Sequence, residues 1–173
     1  MINNLEKYKL LNKKAEKHSA VFFGADWLYD VPVAELARDN GIDTAVYNRS
    51  LRGLSLKDSE KVIDECICAL SPDKVFINIG ENDISDSFDA DEFAEKFEWL
   101  LYTVNAKCKC RIYILSIVND SQGANEIIKK IAERYGCEYI DIRNCCKSAV
   151  EFFAKIRFFL RQHRITFCEA MRI

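Results

Sequence analysis

Three short polar stretches hold most of the residues in this chain that could do chemistry. They are Gly24-Ala25-Asp26-Trp27, Asn48-Arg49-Ser50-Leu51-Arg52-Gly53 and Gly80-Glu81-Asn82-Asp83, and each follows an apolar run. Their types allow distinct chemistries. A carboxylate such as Asp26 can attack carbon, and amide and glycine N–H groups can hold a developing anion. The carboxylates Asp26, Asp30, Glu81 and Asp83 could instead hold a hard cation through oxygen. A general base is harder to find, because the only histidines are His18 and His163. His163 is the one candidate base, although a histidine beside Lys155, Arg157 and Arg161 more often sits on the surface. Each stretch also has an ordinary reading. Asp26 suits a loop cap, Asn82-Asp83 suits a turn capping the helix expected over 89–106, and Trp27 is more often a packing residue.

The elements that position these loops follow from periodicity. Residues 3–18 are polar and helix-favouring, with Leu5, Tyr8, Leu11 and Ala15 near helical spacing. Short apolar runs at 19–23, 43–48, 74–80, 110–118 and 138–142 read as buried strands. Helices are expected after Pro32, over 55–70 behind a capping Ser55, over 89–106 with acids in the first turn, over 125–136, and from 146 onward. Strand and helix alternate, and the strands are continuously apolar. That pattern implies a three-layer α/β/α sandwich on a five-stranded parallel sheet, formed as one domain over 1–173. In such a sheet ligands bind at the carboxyl ends of the strands, where the three polar loops lie.

Composition narrows the function classes. The chain has 49% hydrophobic and 30% charged residues, which argues for a packed core and against disorder. A formal charge of −2 is no electrostatic footprint for nucleic acid. No apolar run approaches the ~20 residues of a membrane helix. The start, Met1-Ile2-Asn3-Asn4, is not that of a secretory signal, so a cytoplasmic setting is expected. The eight cysteines are then expected to be reduced core thiols. Their close pairs, Cys66/Cys68, Cys108/Cys110 and Cys145/Cys146, lack the spacing of a zinc site, so no metal and no cofactor is expected. Near the end, Phe152, Phe153, Ile156, Phe159 and Leu160 form an apolar stripe within 146–173. The stripe suits the core, or else the surface of a homodimer.

Together and in this order, the three loops resemble those of the SGNH (GDSL-type) hydrolases, a family of esterases, lipases, thioesterases and carbohydrate deacetylases. The resemblance spans roughly residues 19–142. Gly80-Glu81-Asn82-Asp83 matches the G-x-N-D block in full. Asn48 to Gly53 is similar to the second block, and Pro32 with Glu35-Leu36 falls where members often carry P-x-x-E-L. The resemblance implies a flavodoxin-like sheet, Gly53 and Asn82 at oxyanion-hole positions, and Gly24, Trp27, Asn48, Gly80, Glu81 and Asp83 around a site for a small ligand such as an ester or acylated compound.

The nucleophile departs from that pattern. Aligned through Gly24 and Pro32, Asp26 stands where the family has its serine. No Asp follows Asp141, so the family's D-x-x-H block has no counterpart. The resemblance therefore implies a member without serine catalysis. Its remaining donors, the Asn82 amide and the Gly53 N–H, would be free to bond the Asp26 carboxylate. The alternatives are a hydrolase with Asp26 as nucleophile, as the Asp-Trp pair of dehalogenases of another fold suggests, and a carboxylate metal site.

Overall fold

The computed structural model describes residues 2–161 apart from Asp86 and Cys146. Its elements are α1 (Ile2–Asn12), β1 (Ala20–Gly24), α2 (Asp26–Tyr29), α3 (Val33–Asp39), β2 (Val46–Asn48), α4 (Leu56–Ser59), α5 (Ile63–Cys66), β3 (Lys74–Asn78), α6 (Ala90–Lys107), β4 (Arg111–Leu115), α7 (Ala124–Arg134), β5 (Glu138–Ile140) and α8 (Ala149–Arg161). The five strands form one parallel sheet in the order β2-β1-β3-β4-β5. β1 and β3 are neighbours although β2 lies between them in the chain. The topology therefore reverses between them, and their carboxyl ends open a crevice.

Burial on both faces explains the apolar strands. Phe23, Val75, Ile77, Ile112 and Ile114 pack against α5, α6 and α7, with Tyr8 of α1 joining them. On the other face Phe22, Phe76, Tyr113 and Leu115 pack against α2, α3 and α8. Three rings from adjacent strands stack in register there. Phe22 lies on Phe76 at 4.5 Å and Phe76 on Tyr113 at 4.6 Å. Helix α8 roofs this ladder, with Phe152 edge-on to Phe22 and Phe159 tilted on Tyr113. Phe152, Phe153, Ile156 and Leu160 are thereby buried within the chain, while Val150 and Phe158 remain exposed.

Several boundaries differ from the sequence reading. α1 ends at Asn12 rather than 18, because the Asn12 carboxamide donates to the carbonyl and carboxylate of Glu65 instead of facing solvent. The single helix expected over 55–70 is broken into α4, α5 and a 3₁₀ turn at Cys68–Leu70. The backbone leaves the helical region at Val62 (φ −120°, ψ −8°) and again at Ile67 (φ −123°, ψ −64°). The short α2 was not expected. Cys66, Cys68, Cys108 and Cys137 are free thiols, and no helix among the described residues is long and apolar enough to cross a membrane.

Candidate functional site

The crevice between β1 and β3 is built by close backbone approach. A Cβ on Gly24 would lie 2.1 Å from the Asn78 carbonyl oxygen, so only glycine lets β1 end against β3. The Ala25 N–H then donates to Asn78 O at 3.1 Å, and the Leu51 N–H donates to Gly24 O at 2.9 Å. These bonds stitch the loops after β1, β2 and β3 together. Gly80 adopts φ 116°, a left-handed value that frees the next residues to turn as a 3₁₀ segment, Glu81–Asp83.

Asp26, Gly53 and Asn82 meet at this junction. Asp26 stands in the first turn of α2. Its Oδ2 accepts the Asn82 Nδ2 amide at 2.8 Å and the Gly53 N–H at 3.0 Å. Asn82 Nδ2 also donates to Leu54 O at 3.2 Å, which engages both hydrogens of its amide within the protein. The Asn82 amide, followed by the Gly53 N–H, holds the Asp26 carboxyl below the usual carboxylate range, so Asp26 is ionised at neutral pH.

The surrounding residues brace this junction. Glu81 accepts the Trp27 N–H at 3.0 Å and so holds the start of α2. The Trp27 ring meets Phe152 edge-on at 5.0 Å and is part of the packing. Asn48 donates to Leu28 O and Val31 O and accepts the Ser50 N–H, which joins the end of β2 to α2. Asp83 accepts the Leu56 N–H at 3.0 Å, at the start of α4, whose cap is Ser55. Burial raises its carboxyl above the ordinary value, and the Leu56 N–H opposes that shift. The cap of α6 is Asp89, not Asn82-Asp83, because Asp89 accepts from the N–H groups of Asp91 and Glu92.

The carboxylate metal site is not formed. Asp26, Glu81 and Asp83 bond separate donors, and Asp30 forms a two-pronged ion pair with Arg52 at 2.6 and 2.7 Å. Among the described residues, no group of three His, Cys, Asp or Glu side chains is arranged to hold a metal. His163, the candidate base, lies outside the described residues.

Sequence reasoning missed the part played by α1. Tyr8 Oη donates to Ser50 O at 2.7 Å, inside the second loop, and burial pushes this phenol up to about 12. The buried Arg49 guanidinium lies 5.0 Å from both the Tyr8 and Tyr47 rings, and its Nε donates to Asn12 Oδ1 at 3.0 Å. The helical spacing of Tyr8 was visible in the sequence; its partner across 42 residues was not.

No protein-family model matches the chain, and no curated protein matches it. Solved structures do. A protein of Streptococcus pneumonia superposes with a TM-score of 0.71 at 20% identity, covering 91% of each chain. A GDSL-like lipase from Bacteroides thetaiotaomicron gives 0.69 at 17% identity, over 91% of this chain and 97% of that one. A catalytic variant of an acetylxylan esterase from Geobacillus stearothermophilus gives 0.62 at 17%, over 86% and 95%. The fold of this chain is that of the SGNH (GDSL-type) hydrolases.

Proposed function

We propose that this chain is an SGNH-fold protein that has given up serine-based ester hydrolysis and works by binding, with a small ester-like or acylated ligand or a protein partner as its target. One observation carries the reading: the Asp26 carboxylate occupies the donors, Gly53 N–H and the Asn82 amide, that would otherwise face an oxyanion. A hydroxyl nucleophile is missing at this position. An oxyanion forming beside the carboxylate would also be repelled. Two like charges ~4 Å apart cost roughly 4 kcal/mol at an effective dielectric of 20. That corresponds to a loss of roughly a thousandfold in rate. The esterase and lipase neighbours support the lineage of the fold, and the chemistry of this site departs from it. A cytoplasmic location belongs to the same proposal, as does a homodimer through α8, for which the exposed Val150 and Phe158 remain while Phe152, Phe153, Ile156 and Leu160 of the stripe are buried.

The test is hydrolysis of an aryl acetate by the wild type, Asp26→Ser and Asp26→Ser/Asn82→Ala. The wild type is expected to be silent. Asp26→Ser is expected to gain weak turnover, because donors reappear for an oxyanion while no positioned base accompanies the hydroxyl. Robust wild-type turnover that vanishes in Asp26→Asn would instead establish Asp26 as a nucleophile.

A further inference from the structure

Cys68 and Cys108 are separated by 40 residues, yet their sulfurs approach to 2.9 Å. Cys68 opens the 3₁₀ turn ahead of β3, and Cys108 follows the last residue of α6. The stretch between them contains β3, the Gly80–Asp83 loop with Asn82, and all of α6. A covalent bond at this point would close the open end of the β3–α6 unit that presents Asn82 to Asp26.

We propose that Cys68 and Cys108 form a reversible disulfide in response to peroxide. The sulfurs must close from 2.9 Å to about 2.05 Å, a movement of less than an ångström. Cys108 is buried, and the partly buried Cys68 beside it gives a small oxidant its route to the pair. The surroundings favour one thiolate. Contact with the Cys68 thiol draws the Cys108 thiol below its ordinary value, and the Lys107 ammonium adds to this. By contrast, burial pushes the isolated thiols of Cys66 and Cys137 up to about 12 and about 11.

The chemistry balances with hydrogen peroxide as the named oxidant. The Cys108 thiolate takes one peroxide oxygen, the O–O bond breaks, and hydroxide leaves with a sulfenic acid formed. The Cys68 sulfur then attacks that sulfur, the S–O bond breaks, and the Cys68 proton departs with the hydroxyl as water. The first hydroxide collects a proton from solvent. Two thiols and one peroxide thus become one disulfide and two waters, and a dithiol reductant reverses the change. Such reversible bonds are the kind found in a reducing compartment.

The experiment treats the full chain with hydrogen peroxide, alkylates the remaining thiols, and maps peptides without reduction. The expected result is a Cys68–Cys108 linked peptide that dithiothreitol abolishes. The oxidised chain should also melt higher by roughly 5–10 °C, since a loop of this length is closed in the unfolded state. Cys110→Ser, which removes the nearby thiol, should retain both the link and the shift. A link that uses Cys110 in place of either residue, alkylation of both Cys68 and Cys108 after oxidation, or their conversion to sulfinic acid would each overturn the proposal. So would a linked chain that melts no higher than the reduced one. None of these outcomes depends on esterase activity, so the test is separate from that of the functional reading.

Discussion

Asn82 stands to Asp26 as donor to acceptor, Nδ2 to Oδ2 at 2.8 Å, with the loop after β3 reaching across to the loop after β1. The Gly53 N–H meets the same oxygen from the loop after β2. The carboxylate thus links three strand ends. How much stability this adds is decided by exposure: the hydrogen bonds at Asp26 lie near solvent, where water replaces lost partners. Asp26→Ala is expected to cost no more than about 1 kcal/mol. Urea unfolding measures this. A loss above about 3 kcal/mol would mean that Asp26 is retained for folding and not for a site.

Gly24 is far less tolerant. Its substituent would meet a backbone oxygen of β3 at 2.1 Å, and neither strand can yield without breaking the register Gly24↔Asn78. Gly24→Ala is expected to cost more than about 3 kcal/mol, as severe overpacking does. Thermal melting of the purified variant checks this, and a wild-type midpoint would refute the close approach.

Asp141 sets an acid limb. Arg143 grips its carboxylate with the side chain and the backbone N–H, and holds it down to about 2. A depressed carboxylate contributes stability that is present above its unfolded value and lost as pH falls toward the folded one. The gap between wild type and Asp141→Asn should therefore be constant at neutral pH and shrink between about pH 4 and pH 2. The pair is partly exposed, so the gap itself should stay below about 1 kcal/mol. Acid titration of both proteins by circular dichroism reads the difference. A gap that widens on acidification would contradict the sign.

Why some of this was legible in the sequence and some was not has a physical basis. The strands were legible because parallel strands covered on both faces must be apolar throughout, as Ala20 to Phe23 and Val75 to Ile77 are. The loops were legible because each polar stretch, at Gly24–Trp27, Asn48–Gly53 and Gly80–Asp83, directly follows an apolar run, and because their order resembles that of the SGNH blocks. The break between α4 and α5 was not, since the period of 55–70 fits one helix as well as two. There Ser59 Oγ bonds Leu56 O, turning the hydroxyl back on its own turn. Nor did composition reveal that Arg49 would be buried between Tyr8 and Tyr47, because that sandwich joins segments distant in the chain. Pairings of this kind exist only once the sheet has brought the segments together.

Lys74 ties β3 to α8. It lies at the start of β3, is buried, and points its ammonium at the end of α8, where Nζ donates to Phe159 O at 3.0 Å and to Leu160 O. Both carbonyls lie in the last described turn of α8, and an ammonium donor makes a charge-assisted hydrogen bond to each. Burial and the nearby Arg111 lower its pKa. Lys74→Met keeps most of the stem volume and removes the donor, leaving the two carbonyls without it. The expected loss is about 1–3 kcal/mol in urea unfolding. Hydrogen exchange should locate the loosening in α8, which holds Phe152 and Phe159 over the ring ladder. The pH dependence gives a second readout. A lysine whose folded pKa is lowered binds fewer protons in the native state, so wild-type stability rises with pH between the folded and the unfolded pKa. The difference between wild type and Lys74→Met should therefore grow through the alkaline range just below the ordinary lysine value. An unchanged midpoint together with a flat difference profile would show that Lys74 only fills space beneath α8.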